Sequence, residues 1–464
     1  MENGPTWSRK TGVPTIFCLV AGRSGPLESF LVISRPLHDT IAFVSPYSLE
    51  KTAISTKSYR RIARVLCLAM VALHAFYLWQ VRREIARGDP DFTTFYTAGH
   101  MLRSGQGSQI YDPVAQSQSQ LSWIGNSEIR RGPLLYIHPP FEAPLFVLFS
   151  LLPYRTAFVV WDFINLVLVL AISAILRRTL LAGTNVRTWE IALGLLAFFP
   201  IFVNFFQGQD AILLLLFVVL AVRAMQKHEE FAAGCWLGAG LIRFHLVIPL
   251  VFILALWGRR RILAGFAAVS TALLLISFAT VGFRATMDYP CYLWRWVSVP
   301  GLGRTPSPLL PSLAGLVSGW PGVDRVQWLL RAAVLAASVG LLLMVARLKR
   351  AAFSKSFDLS FGCAILVSVL VGYNTSTYDL ALLVLPMAAV ANFFTREWRG
   401  RTPVGLLLPV APLLVSPFWF VLGMYWQKFN LIAILLLWWL FAIWKVLQRI
   451  RPGVEGGHAI APVA

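Results

Sequence analysis

Between about residue 60 and residue 450 the chain alternates long apolar runs with short polar or arginine-rich breaks. The runs fall at about 63–81, 156–176, 189–206, 210–226, 231–243, 246–257, 262–282, 325–346, 359–374, 378–394, 404–423 and 429–447. Most approach the roughly 17–25 residues that a helix needs to cross a bilayer. The pair around 231–257 is shorter, and reads as two tilted short helices or one broken helix. The pattern predicts an all-α polytopic membrane protein of about twelve transmembrane helices, eleven to thirteen allowing for that pair. Residues 59–451 make up the helical domain. Residues 1–58 form an N-terminal extension, expected to be poorly ordered and cytoplasmic, and 452–464 a short tail. Within the extension Arg9 and Lys10 precede the apolar stretch Thr15 to Ala21, which is faintly signal-like but has no clean small-residue cleavage site.

Composition agrees. Of 464 residues, 57% are hydrophobic and only 13% charged, about half the 25% of a soluble chain. Disorder, a nucleic-acid-binding tail and an ordinary cytosolic enzyme are excluded. The net charge of +20, from 41 Lys and Arg against 21 Asp and Glu, follows the positive-inside rule. Lys57, Arg60, Arg61 and Arg64 precede the first run; Arg177 and Arg178, Arg259 to Arg261, Arg347, Lys349 and Arg350, Arg396, Arg399 and Arg401, and Lys445, Arg449 and Arg451 follow later ones. An even span count places them on one face, the cytoplasmic one. Arg82, Arg83 and Arg87 are the exception. The opposite face receives loops 82–155 and 283–324 and the turns Gln207–Asp210, Tyr373–Tyr378 and Met424–Lys428. Trp294, Trp296, Tyr425 and Trp426 read as interfacial anchors. The five cysteines are scattered without a CxxC pair, so no disulfide framework or metal cage is indicated.

Polar residues concentrate where chemistry can occur. Asp89 and Asp91 follow the first run, ahead of Tyr96, Ala98, Gly99 and Arg103. A carboxylate at the bilayer boundary can take the proton of an incoming hydroxyl; equally, an aspartate before an apolar stretch caps a helix. For Asp89 the cap is the simpler reading, and for Asp91 both stay open. Tyr136-Ile137-His138-Pro139-Pro140-Phe141-Glu142 opens an apolar stretch, Ala143 to Leu152, too short to cross and expected at the interface or against the bundle. His138 is a ligand, a proton carrier or a packing residue. Gln207-Gly208-Gln209-Asp210 forms a polar turn, and Arg243 and His245 interrupt an apolar run. An ionisable residue at membrane depth is costly and is a functional candidate by default, and the guanidinium fork fits phosphate oxygens. Tyr378 and Asp379 close a second outward polar turn.

No glycine-rich phosphate loop followed by Lys-Ser/Thr is present and no DxD run is read as supporting a nucleotide-sugar site, Asp89-Pro90-Asp91 included, so an outward-facing transferase would need a nucleotide-free donor. Asp91-Phe92, Tyr96-x-Ala98-Gly99, Gly105 and Tyr111-Asp112-Pro113 resemble the first-loop signature of glycosyltransferase family 87. The resemblance continues through Tyr136-x-His138-Pro139-Pro140, Gly208-Gln209, Gly238-x-Gly240-Leu241-x-Arg243 and Tyr378-Asp379, over roughly 62–450. It implies a GT-C bundle whose outward first loop carries short juxtamembrane helices. It also implies a hexosyltransferase, mannose first, that moves sugar from a polyprenyl-phosphate donor to a lipid or glycan hydroxyl on the extracytoplasmic face of the cell membrane, with inversion. The first-loop aspartate of the family is its general base, a role that maps to Asp91. Arg243, or after it Arg103 or His138, is then the candidate to hold the carrier phosphate. Asp89, Tyr96, Gln209, Asp210, His245, Tyr378 and Asp379 are the further candidates for donor and acceptor contacts. Where the family often carries Lys-Pro-Gln, this chain has Arg243-Phe244-His245, and Tyr378-Asp379 stands where some members have paired histidines. No cofactor is required by this reading, a divalent cation stays open although no clear ligand set demands one, and no nucleic acid is a partner. The alternatives are a flippase of lipid-linked sugar and an oligosaccharide ligase or polymerase.

Overall fold

The structure, a computed structural model, describes residues 56–124, 134–298, 307–317, 324–349, 357–396 and 404–449. Most of the extension expected over 1–58, and the whole tail 452–464, lie outside the described residues. The described elements are α-helices, short 3₁₀ turns and one π segment, with no strand among them.

Among the described residues seven helices are long and apolar enough to cross a membrane: Ser58–Gln80, Tyr154–Arg178, Glu230–Leu256, Arg260–Trp296, Trp328–Ala346, Thr377–Thr395 and Phe429–Arg449. An eighth arises if the pair Thr188–Ala197 and Phe199–Gln207, bent by 68°, counts as one span. The remaining expected runs became shorter objects. Ala211–Gln226 and Phe357–Val371 are apolar helices of 16 and 15 residues. The run at 404–423 breaks into Val404–Leu407, Pro412–Leu414, Ser416–Phe420 and Val421–Tyr425, because Pro409, Pro412 and Pro417 withdraw backbone donors and clash with the preceding turn.

Length and hydropathy alone pass Glu230–Leu256 as one span, yet its ends meet. Glu230 Oε1 lies 2.6 Å from Nη1 of Arg259, whereas 27 residues of straight helix would separate them by about 40 Å. The chain doubles back at the 3₁₀ turn Gly240–Arg243, where Arg243 takes φ −118°, ψ 57°. Two short arms, Glu230–Ala239 and Phe244–Leu256, thus carry Arg243 at the apex of a hairpin. This is the broken form of the pair expected at 231–257.

Helix Arg260–Ser298 continues past residue 282 into the segment expected as a loop, with a break at Gly282 (φ 85°, ψ 166°). Its extension supplies Tyr289 and Tyr292, whose hydroxyls donate to the carbonyls of Ile137 (3.1 Å) and Tyr136 (3.2 Å). The outer faces of the long helices are apolar: Val65, Phe76, Val159, Phe163, Trp328 and Leu335 are all exposed. A surface of that chemistry suits lipid, not water.

Two buried clusters organise the interior. The larger joins helices from Tyr154–Arg178 to Ile432–Arg449. The smaller is aromatic and builds the platform of the site: Phe92, Phe95, Tyr136, Phe146, Phe158 and Trp161 are buried together. Each such ring contributes about 1.5–3 kcal/mol on leaving water. Helix Phe92–Arg103 meets the 3₁₀ turn Pro140–Phe146 at Gly99, where an added Cβ would lie 2.3 Å from the Phe146 carbonyl oxygen. The glycine of the Tyr96-x-Ala98-Gly99 run thus lets the 140–146 turn press against the helix that begins at Asp91. The stretch 143–152 buries Ala143, Phe146 and Ser150 and leaves Leu145, Leu148 and Leu151 exposed.

Candidate active site

Five chain segments bring polar side chains to one place. Asp91 precedes helix Phe92–Arg103 as its N-cap residue, without a side-chain cap bond. Its backbone N–H donates to Gln207 Oε1 at 3.1 Å, and its Oδ2 accepts from Gln209 Nε2 at 2.7 Å. Both flanking glutamines therefore address one aspartate, and Gly208 between them makes this possible. Gly208 ends helix Phe199–Gln207 in the left-handed region (φ 60°, ψ 40°). Its carbonyl accepts from Trp161 Nε1 at 2.9 Å. A Cβ there would sit 2.7 Å from the Phe92 Cβ. Gly208→Ala is expected to cost about 1–2 kcal/mol in backbone strain alone and, by shifting both glutamines off Asp91, to lower turnover more than donor binding. Steady-state kinetics beside a thermal midpoint in detergent checks this; an unchanged kcat would refute it.

The network continues inward. Arg243 Nη2 donates to Gln209 Oε1, and Nε and Nη2 both donate to Asp210 Oδ1, the Nε contact at 2.6 Å. Nη1 lies 3.7 Å from Asp379 Oδ1, and the guanidinium stacks 4.9 Å over the Tyr378 ring. Asp379 Oδ2 caps its own turn by accepting from the Ser376 N–H at 2.7 Å, and His245 Nε2 lies 3.5 Å from it. Asn204 donates to the Tyr378 carbonyl at 3.2 Å, joining the two polar turns. Arg243 is 4% exposed. Its Nε and Nη2 donors are taken up by Asp210 and Gln209, so it orients Gln209 and, through it, Asp91.

A third group lies beside Asp210. His138 Nδ1 is 3.0 Å from Glu142 Oε2, and one ligand atom from each of His138, Glu142 and Asp210 lies within 4.8 Å of the others. Burial pushes the Glu142 carboxyl up to about 8, against the pull of Asp210 and Arg243. Burial likewise lifts Asp210 to about 7 although Arg243 opposes it, and drives His138 down to about 3, aided by Arg243, so the imidazole is neutral. The Tyr111 hydroxyl donates to the His138 carbonyl at 2.8 Å, and Phe95 packs on the imidazole with centroids 4.5 Å apart.

Of the residues expected from the sequence, Asp91, His138, Gln209, Asp210, Arg243, His245, Tyr378 and Asp379 come together. Tyr96 packs instead: its hydroxyl donates to the Leu152 carbonyl at 2.8 Å and its ring meets Trp123 and Tyr154. Arg103 is exposed at the far end of its helix, about 18 Å along the axis from Asp91, outside the cluster. Asp89 is half-buried in the turn before Asp91, its N–H donating to the Glu84 carbonyl at 3.3 Å. Sequence reasoning assigned no role to Glu142 or Gln207. The signal for Glu142 is an acid four residues after a histidine in an acid-poor chain; that for Gln207 is its place in the polar turn Gln207–Asp210.

Two cavities adjoin the cluster. One, of about 490 Å³, is walled by Tyr77, Phe199, Phe202, Phe206, Phe420 and Phe429, and reaches Gln207, Thr377 and Lys428. The other, of about 580 Å³, is lined by Tyr111, Asp112, Tyr292, Arg295 and Trp296 among others.

Residues 136–386 match the family model for glycosyltransferase family 87. The matched stretch begins after Asp91 and is narrower than the 62–450 over which the motifs resemble that family. Comparisons with curated proteins and with solved structures return no match. A match over more than half of this helical, membrane-type chain settles its kinship: the protein belongs to glycosyltransferase family 87 and is a membrane glycosyltransferase.

Proposed function

We propose that the protein transfers a hexose, mannose in the first instance, from a polyprenyl-phosphate carrier to a hydroxyl of a lipid or glycan acceptor on the extracytoplasmic face of the cell membrane. The observation that carries this reading is Asp91, half-buried where its neighbours are sealed, and held by the relay Arg243–Gln209–Asp91. Asp91 takes the proton of the acceptor hydroxyl as that oxygen attacks the anomeric carbon. The bond from the anomeric carbon to phosphate breaks, polyprenyl phosphate leaves with the electron pair, and a single displacement inverts the centre. A phosphate leaving group needs no proton at neutral pH, so one base suffices.

The aromatic groove beside Gln207 supports an isoprenoid donor, since each buried CH₂ contributes about 0.8 kcal/mol. Lys428 at its rim offers a cation for the phosphate, a role the enclosed Arg243 is poorly placed to fill. The second cavity, with Tyr292, Trp296, Asp112 and Arg295, has the aromatic and polar lining that suits a sugar-bearing acceptor. The remaining short apolar helices pack as parts of one bundle, consistent with a GT-C arrangement, and the basic clusters mark the cytoplasmic side.

The test uses purified protein in nanodiscs with polyprenyl-phosphate-mannose and a bacterial lipid extract. Release of polyprenyl phosphate together with a lipid product heavier by one hexose is the expected result. Movement of carrier across a liposome without release would mark a flippase, and a product heavier by an oligosaccharide would mark a ligase; either would overturn the reading.

A further inference from the structure

The site holds more buried negative charge than its own cation balances. Glu142 and Asp379 are 0% exposed and Asp210 1%, and the one guanidinium in the cluster is that of Arg243. Arg243 serves Asp210 through Oδ1 and approaches Asp379. What remains lies on the other side of Asp210. Its Oδ2 and the Oε1 of Glu142 are fully buried and accept no hydrogen bond from any described residue, although the two carboxyl groups are within hydrogen-bonding reach of each other. Two ionised carboxylates cannot face each other unaided in a dry interior. His138 closes the third side with a ring nitrogen.

We infer that His138, Glu142 and Asp210 form a divalent cation site of the Mn²⁺ or Zn²⁺ type. One imidazole and two carboxylates are a mixed nitrogen–oxygen donor set, too nitrogen-rich for a dedicated Ca²⁺ cage and free of the thiolates that favour Cu⁺. Three protein ligands leave further coordination positions open. Three buried carboxylates, one guanidinium and one divalent ion make a neutral cluster. The surroundings also look like a coordination sphere's outer layer. Asp210 is held from behind by Arg243. The His138 backbone is pinned by the Tyr111 hydroxyl, and the neighbouring carbonyls of Tyr136 and Ile137 by Tyr292 and Tyr289. Such supports orient ligands and raise affinity. The ligands come from the 3₁₀ turn opening at Pro140 and from the turn before Ala211, far apart in sequence.

The full chain, purified in detergent and stripped with a chelator, is titrated with Mn²⁺ and followed by electron paramagnetic resonance, with Zn²⁺ as competitor and metal analysis after gel filtration. Retention of about one equivalent per chain is expected, together with a higher thermal midpoint, and both are lost in Glu142→Gln and in His138→Phe. Donor and acceptor are absent, so the outcome is separate from that of the transfer assay. If the stripped wild type retains no ion and its thermal midpoint ignores both chelator and metal, Glu142 and Asp210 merely share a proton and the inference is overturned. Equal retention by the wild type and both variants, with each variant still monodisperse, overturns it too, since the ion is then held elsewhere.

Discussion

Asp91→Asn is expected to lower turnover by about 10²–10⁴-fold, the usual contribution of a general base, with the fold intact. The backbone N–H of residue 91 still donates to Gln207, and an asparagine can offer its carbonyl oxygen to Gln209 Nε2 where the carboxylate oxygen stood. No cap bond is lost, since the Asp91 side chain makes none to helix Phe92–Arg103. What disappears is the capacity to take a proton. The loss therefore falls on kcat and hardly on the KM of the donor, and it corresponds to about 3–5 kcal/mol of transition-state stabilisation. Kinetics at saturating donor, with the thermal midpoint as folding control, measures it. A monodisperse variant with near wild-type turnover would remove Asp91 from the mechanism.

Arg243→Gln is expected to do broader damage. The side chain is 4% exposed and is the shared partner of Asp210, Asp379 and Gln209. Removing one member of a buried ion pair leaves the rest uncompensated, at about 3–5 kcal/mol. The variant should elute largely aggregated, or unfold well below the wild type. Pairing it with Asp210→Asn removes the stranded charge and should recover much of the stability without the activity, because Gln209 is no longer oriented from behind. Arg243→Lys keeps the charge but not the planar fork, and should fall between. A single variant with an unchanged thermal midpoint would show that the buried pair contributes nothing to the fold.

The contrast between these variants follows from where each residue sits. Asp91 is half-buried, so its substitution keeps access to water. Arg243 is at the apex of a hairpin whose base is clamped by Glu230 and Arg259, so water reaches it poorly. The sequence reading favoured Arg243 for the carrier phosphate because a guanidinium in an apolar run is costly unless used. Its Nε and Nη2 are used by Asp210 and Gln209. One-dimensional pattern reports that a charge must be compensated; it does not report by whom.

Hydropathy alone determined the helical class, the membrane setting and the polar turns at 207–210 and 373–379, since a bilayer penalises every unpaired backbone group and admits few other solutions. The motif order around Asp91, His138, Gly208-Gln209 and Arg243 determined the family. Only the tertiary structure decided that 230–256 doubles back, that the run at 404–423 breaks at its prolines, and that Tyr96 packs while Arg103 faces outward. It also decided that Glu142 and Gln207 join the cluster. These are matters of which segments approach which, governed by an ion pair between Glu230 and Arg259 and by the close approach that Gly99 and Gly208 permit. Glu230 and Arg259 are 29 residues apart in the chain, Gly99 meets Phe146 and Gly208 meets Phe92, and no local periodicity encodes such pairings.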